Sequence, residues 1–485
     1  MRVRPLIWIA ASLCAATLAG CTVGPNYRTP PVPPPPATFK ELPPPNPPNG
    51  SWKQAQPGAA QNSQLKGNWW TMYDDPELDA LEAKIDVSNQ TLKAATENYF
   101  AAREQVRAVR ANFWPTLSAG PSVSRTGESH NQANVHSGTS LDYNAFALQG
   151  EASWEPDLWG GVRRSVEEAR ANAQASAADL ANAALSIHAE LATDYFELRG
   201  LDSQTLLLDN TVKADTDYLH LTQIRFNGGV ATEVDVAQAQ TQLETVKAQD
   251  IDVQVARAQY EHAIATLIGQ PASTFSLAPA PLALKLPAVP AGVPSALLER
   301  RPDIAAAERR TDAANAQIGI AEAAFYPNVQ IGGTGGFESA NAGTWIQGPS
   351  AMWSLGASAM ELLFDAGRRH AITAQARDQY EAQTANYRQS VLNAFQEVED
   401  NLAALRILDN EAQTQAAAVQ AARRSLAIST KRYKGGVTTY LEVLTAQTAQ
   451  LADERAQQDI TTRQFTASVH LITALGGGWS RAQLP

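Results

Sequence analysis

Metal or general-base chemistry would draw first on the seven histidines, His130, His136, His188, His220, His262, His370 and His470, but no two of them stand at metal-ligand spacing. The sequence has no Gly-Lys-Ser/Thr phosphate loop, so the chain cannot power work by binding a nucleoside triphosphate. Gly332 to Gly336 falls in an alternating, strand-like stretch with no helix start, which argues against a nucleotide cradle. Two cysteines are present, Cys14 inside an apolar leader and Cys21 at its end. A mature chain therefore has no disulfide framework, thiolate metal site or cysteine nucleophile. Nothing in these types and spacings points to a cofactor. What remains is an acylatable cysteine and a set of acids: Glu233 and Asp235 follow Gly228-Gly229-Val230, and Glu442 follows Gly435-Gly436-Val437. A carboxylate just inside a helix start either complements the helix dipole or, gathered from several chains, attracts cations.

The leader sets the compartment. Arg2 and Arg4 precede an apolar run from Leu6 to Leu18, and Leu18-Ala19-Gly20-Cys21 closes it. Small residues before a cysteine suit a lipoprotein signal peptidase, which would leave Cys21 as an acylated N-terminus. An ordinary signal peptide or an N-terminal membrane helix are the alternatives, and the apolar run falls short of the roughly 20 residues a span needs. Thr22, rather than aspartate, follows the cysteine, which favours delivery to the outer membrane. From Thr29 to Pro57 prolines crowd the chain, as in an extended strap leading from the anchor to the folded body. A net charge of -11 argues against nucleic acid as a partner.

The elements that must position these residues occur twice. Phe113-Trp114-Pro115-Thr116-Leu117 returns as Phe325-Tyr326-Pro327-Asn328-Val329, and Arg225-Phe226-Asn227-Gly228-Gly229-Val230 returns as Arg432-Tyr433-Lys434-Gly435-Gly436-Val437. The unit spans roughly 200 residues, a whole architectural half. Each half runs helix, short strand, polar loop, short strand, very long helical hairpin. Ala177, Leu180, Ala184, Ile187, Leu191, Leu198 and Leu201 keep three-four spacing, interrupted at Asp194, and Val391, Phe395, Val398, Leu402 and Leu405 do the same. Helices are expected from about Arg163 to Phe226 and from about Arg368 to Tyr433, each on the order of 90 Å long. Gly228-Gly229 and Gly435-Gly436 supply the left-handed conformations that reverse the chain between helices.

Four segments, about 115–125, 146–155, 327–337 and 352–361, alternate instead with period two. Leu117, Ala119, Pro121 and Val123 alternate with Ser118, Gly120, Ser122 and Ser124, and Trp353, Leu355, Ala357 and Ala359 with Ser354, Gly356 and Ser358. Strands of about ten residues with one apolar and one polar face match a membrane barrel, lipid outside and polar lumen inside; two soluble hairpins are the alternative. Trp114 and Tyr326 stand where an interfacial aromatic girdle belongs. Pro121 counts against a fully paired central strand. Since an open edge cannot sit in lipid and the smallest closed barrels have about eight strands, four strands require assembly. Two chains would make a barrel filled by side chains, and three would make twelve strands with room for a passage.

The start Cys21-Thr22-Val23-Gly24-Pro25-Asn26-Tyr27, Trp69-Trp70 before Asp75-Pro76-Glu77-Leu78, the duplicated aromatic-proline block, Trp154-Glu155-Pro156-Asp157-Leu158-Trp159-Gly160 and both Gly-Gly-Val turns together resemble lipid-anchored TolC-like outer-membrane factors of the NodT group. The resemblance runs from Cys21 to about Gly477. It implies a mixed α and β fold: a homotrimer whose twelve-stranded barrel continues into a long periplasmic helical tunnel. Such a duct sits in the outer membrane of a Gram-negative bacterium, anchored through Cys21, and serves a periplasmic adaptor and an inner-membrane efflux pump. It also implies that acids after the turns ring a closable entrance, here Asp235 and Glu442, and that Gly228, Gly229, Val230, Gly435, Gly436 and Val437 form the tips that meet the adaptor. Two family positions differ, reading Thr438 and Thr445. The expected layout is a signal peptide over 1–20, an anchored strap over 21–68, repeats over 69–284 and 285–478, and a tail over 479–485. A type I secretion duct for polypeptides or a non-conducting lipoprotein spacer remain as alternatives.

Overall fold

A computed structural model describes residues 22–36, 38–41, 67–127, 142–292 and 294–485. The leader, Cys21, His130, His136 and most of the proline-rich segment lie outside the described residues. The described chain forms two compact units, each drawn from both sequence halves: one holds the residues up to Pro31 with Phe100–Ser176 and Ala307–Tyr387, the other Val32–Tyr99, Ala177–Ala306 and Arg388–Pro485.

Helices α1 (Pro76–Ser88) and α2 (Gln90–Arg110) precede strands β1 (Thr116–Gly127) and β2 (Asp142–Trp154), followed by α3 (Gly161–Asn227) and α4 (Glu233–Leu267). After a long connection that ends in a one-turn helix at Leu297–Arg300 come α5 (Pro302–Ala323), β3 (Asn328–Ser339), β4 (Ala351–Met360), α6 (Arg368–Lys434) and α7 (Tyr440–Ala474). The duplication holds to the residue: α3 and α6 are each 67 residues long, α4 and α7 each 35. At 1.5 Å per residue the long pair extends about 100 Å. Among the described residues no helix is long and apolar enough to cross a membrane.

In the first unit the strands form one antiparallel sheet in the order β1-β2-β3-β4. Its register gathers the two residue sets onto opposite faces. Leu117 pairs Ala152, which pairs Gly333, which pairs Leu355; Ala119, Gly150, Gly335 and Trp353 make the next row. The opposite face carries rows such as Ser118, Glu151, Thr334 and Ser354. A slip by one residue would mix the faces, so the alternation and the pairing specify each other. Leu117, Val123, Trp353 and Leu355 lie exposed on the apolar face. Pro121 of β1 pairs Leu148 of β2, and β1 is an edge strand of the single chain's sheet. The first hairpin runs further than the apolar pattern suggests, to Gly127 opposite Asp142, with the Arg125 and Asp142 side chains 3.4 Å apart near its end.

The N-terminal segment is part of this unit. Val23 N–H donates to Trp159 O (3.1 Å), Asn315 donates to Pro25 O (3.0 Å), and the Tyr27 hydroxyl donates to Glu308 (2.8 Å). Buried Arg164 fans its guanidinium onto Val23 O, Gly24 O and Asn26 at 3.0 to 3.1 Å. Gly24 has φ of +90°, and a Cβ there would collide with Gly319 Cα.

The second unit buries Trp69, Tyr73, Tyr195, Phe196, Leu191, Leu198, Ile264 and Phe465 in one apolar cluster. α1 starts on Asp75, whose side chain caps Glu77 and Leu78 N–H and also accepts from the Tyr195 hydroxyl at 2.6 Å. Of the stripe expected on α3, Ile187, Leu191 and Leu198 are buried, whereas Ala177, Leu180, Ala184 and Leu201 are half-buried.

Candidate functional site

The Gly-Gly-Val blocks close both long helices in the same way. Val230 N–H donates back to Arg225 O and Gly229 N–H to Phe226 O, each 2.9 Å; Val437 N–H donates to Arg432 O (3.0 Å) and Gly436 N–H to Tyr433 O (2.9 Å). These paired bonds, with Gly229 at φ +71° and Gly436 at +74°, form the helix stop that requires a left-handed residue. Val230 and Val437 are left exposed at the turns.

The two turns are tied together beneath. Arg225 sits over the Tyr433 ring at 4.6 Å and donates to Lys434 O at 3.4 Å. Tyr433 shares a hydrogen bond with Thr222 (3.1 Å), and its ring meets buried Tyr440 edge-on at 5.7 Å. Ala239 and Val443 complete this cluster. Sequence reasoning missed the Arg225–Tyr433 contact. Both residues belong to the repeated blocks, but which arginine crosses to which aromatic ring is a tertiary property.

The two acids hold equivalent positions and behave differently. Asp235 closes a capping box: its carboxylate accepts from Thr232 N–H (2.9 Å) and hydroxyl (2.8 Å), while Thr232 accepts from Asp235 N–H. Glu442 instead pairs with Arg432 at 3.2 Å, and Thr439 makes no side-chain cap. Within one chain both acids thus have local partners. Nearby, burial pushes the Asp215 carboxyl up to about 6, and Gln447 donates to it at 2.8 Å.

Trp114 is 74% exposed, whereas Tyr326 stacks on Trp159 at 5.0 Å and Trp159 donates to Pro327 O at 2.8 Å. Beyond β4, Leu362, Leu363 and Phe364 are exposed as well. Buried His188 is flanked by buried Glu82 (2.7 Å) and exposed Asp86 (3.3 Å) and stacks on Trp70 at 4.5 Å.

The chain matches the outer membrane efflux protein family over residues 83–270 and 293–477, one stretch for each half of the duplication. It is 31% identical to the toluene efflux pump outer membrane protein TtgC of Pseudomonas putida, covering 97% of this chain and 95% of that one. It is 30% identical to the outer membrane protein OprJ of Pseudomonas aeruginosa, covering 99% and 98%. The open state of the MtrE outer membrane channel of Neisseria gonorrhoeae superposes with a TM-score of 0.82 at 29% identity, over 95% of this chain and 99% of that one. Shared sequence and shared fold both extend along nearly the whole chain, and it belongs to the outer membrane efflux protein family.

Proposed function

We propose that this outer-membrane efflux protein assembles as a homotrimer and is the passive exit duct of a tripartite pump, receiving small molecules from a periplasmic adaptor and an inner-membrane transporter. The two-faced sheet with an unpaired strand at each edge carries this reading. Four strands with an apolar exterior satisfy their edges in lipid only by meeting other chains, and three copies give twelve strands around a water-filled bore. Cys21, acylated, anchors the chain beside the unit that clamps Thr22 to Tyr27. Trp114 and Tyr326 sit at the membrane boundary. The Gly-Gly-Val turns meet the adaptor, and three copies of Asp235 and Glu442 line the entrance as a cation-attracting ring. The chain performs no catalysis of its own; the pump supplies both energy and choice of cargo.

Conductance in planar bilayers tests the duct directly. Purified protein should give discrete, cation-preferring steps that grow when Arg225→Ala loosens the turn cluster. Bilayers that stay silent with both proteins, at loadings where an established channel conducts, would rule it out.

A further inference from the structure

A cavity of about 550 Å³ opens in the first unit, beside the clamp on the N-terminal segment. Small-ligand sites run to roughly 300–1,000 Å³, so the volume suits one. Buried Val166 of α3 and Phe113, in the link between α2 and β1, supply apolar lining. Arg163, Glu167 and Arg170 of α3 and Asp312 of α5 supply two cations and two anions. Spacings of four and three residues set the α3 members on one face of the helix.

The chain's own ion pairs leave this lining unsatisfied. Arg163 pairs with Asp157 at 2.9 Å, Glu167 with Arg164 at 2.7 Å and Asp312 with Arg309 at 3.1 Å. Arg170 is exposed and makes no ion pair or hydrogen bond among the described residues. Asp312 has the opposite need: burial raises its carboxyl to about 6, Arg309 opposes this, and Glu167 and Glu308 add to it. One guanidinium therefore lacks an anion, and two carboxylates that repel each other have use for a further cation.

The cavity lies close to the strand ends. Phe113 is three residues before β1, and Arg163 is two after the first residue of α3. Trp114 and Leu117, 74% and 81% exposed, lead from Phe113 to the apolar face of the sheet. Because α3 runs away from the strands, its side chains lean back toward them. Arg170, roughly 14 Å along the helix from Gly161, thus reaches toward the strand end. The partners of the two carboxylates also hold the N-terminal segment: Arg164 donates to Val23 O and Gly24 O, and Arg309 sits over the Tyr27 ring at 5.8 Å. The cavity is therefore on the side of the chain from which that segment leads back to Cys21.

We propose that this cavity binds the headgroup of a membrane phospholipid that carries both a phosphate and a primary ammonium, the phosphate on Arg170 and Arg163 and the ammonium between Glu167 and Asp312. Guanidinium groups offer phosphate oxygens paired N–H donors, and the ammonium supplies the cation that the carboxylates lack. The acyl chains run past Phe113 and Trp114 to Leu117. An anionic headgroup with no ammonium leaves Glu167 and Asp312 facing a further negative charge, so it binds less well.

This inference rests on the membrane placement of the sheet in the proposed duct, and the test separates the two. Full-length protein is stripped of lipid in detergent and mixed with one of three probes: dioleoylphosphatidylethanolamine, dioleoylphosphatidylglycerol, or glycerophosphoethanolamine, which has the headgroup without the chains. Each mixture is weighed by native mass spectrometry. The ammonium lipid should be retained at one per chain, about tenfold more tightly than the anionic lipid, and the chainless headgroup should not be retained. Arg170→Ala leaves no internal partner unpaired; it should weaken retention about tenfold with conduction in planar bilayers unchanged. Asp312→Asn, where Arg309 keeps Glu308 as its partner, should erase the preference between the two lipids. Channels that conduct yet retain no lipid, retain both lipids equally, hold the chainless headgroup as well as the lipid, or retain lipid alike in the native chain and both variants overturn the site and leave the duct standing. Silent bilayers with the lipid preference intact overturn the duct alone.

Discussion

Thr232 and Asp235 satisfy each other's backbone N–H groups across the first turn of α4, so the carboxylate expected at the entrance is also a structural cap. Charge and cap can be separated. Thr232→Ala should cost about 1 kcal/mol of helix-end stability, seen as faster amide exchange over the first turn of α4, with cation preference unchanged. Asp235→Asn/Glu442→Gln should lower cation preference in reversal-potential measurements while α4 stays folded. An unchanged reversal potential would show that these acids do not line the conducting path.

The clamp on the N-terminal segment depends on close backbone approach. Gly24→Ala places a Cβ on Gly319 Cα at a left-handed φ, and Arg164→Ala removes the donors to Val23 O and Gly24 O. Each should free the segment at a cost of about 2 kcal/mol or more. Limited proteolysis between Thr22 and Pro36 is the readout, and a segment that stays protected in both variants would contradict the clamp.

Asp194 interrupts the apolar stripe of α3, and burial, with Glu190 and Glu197 beside it, raises its carboxyl from 3.8 to about 7. The protonated form is favoured in the folded chain, so its contribution to stability is present below pH 3.8 and is lost as pH rises to about 7. Asp194→Asn should therefore raise the melting temperature at pH 8 and leave it unchanged near pH 3.5. Equal shifts at both values would mean that the carboxyl titrates normally.

Cys21→Ser should abolish both acylation and cleavage of the leader. Intact-mass measurement of the native protein is expected to show a mature N-terminus at Cys21 carrying acyl chains; an unmodified one would refute the anchor.

Much of this arrangement is legible in the residues because it rests on periodicity and punctuation. Alternation marks the four strands to within a few residues, and Gly229 and Gly436 mark the helix stops, since each signal is local. What resists is tertiary. The run from Thr22 to Tyr27 looks like the start of a strap, yet its carbonyls find Arg164 and Asn315 far along the chain. Asp235 is different: its partner Thr232 is three residues away, so the capping box that holds it is local. Trp114 and Tyr326 look alike in sequence, and only the fold shows Tyr326 stacked and Trp114 bare.

The central claim is that three chains close one barrel, and counting chains tests it most directly. Native mass spectrometry of the protein released from detergent micelles should give a single assembly of three acylated chains, stable to dilution. A stable folded monomer, or a dimer as the largest species, would contradict it.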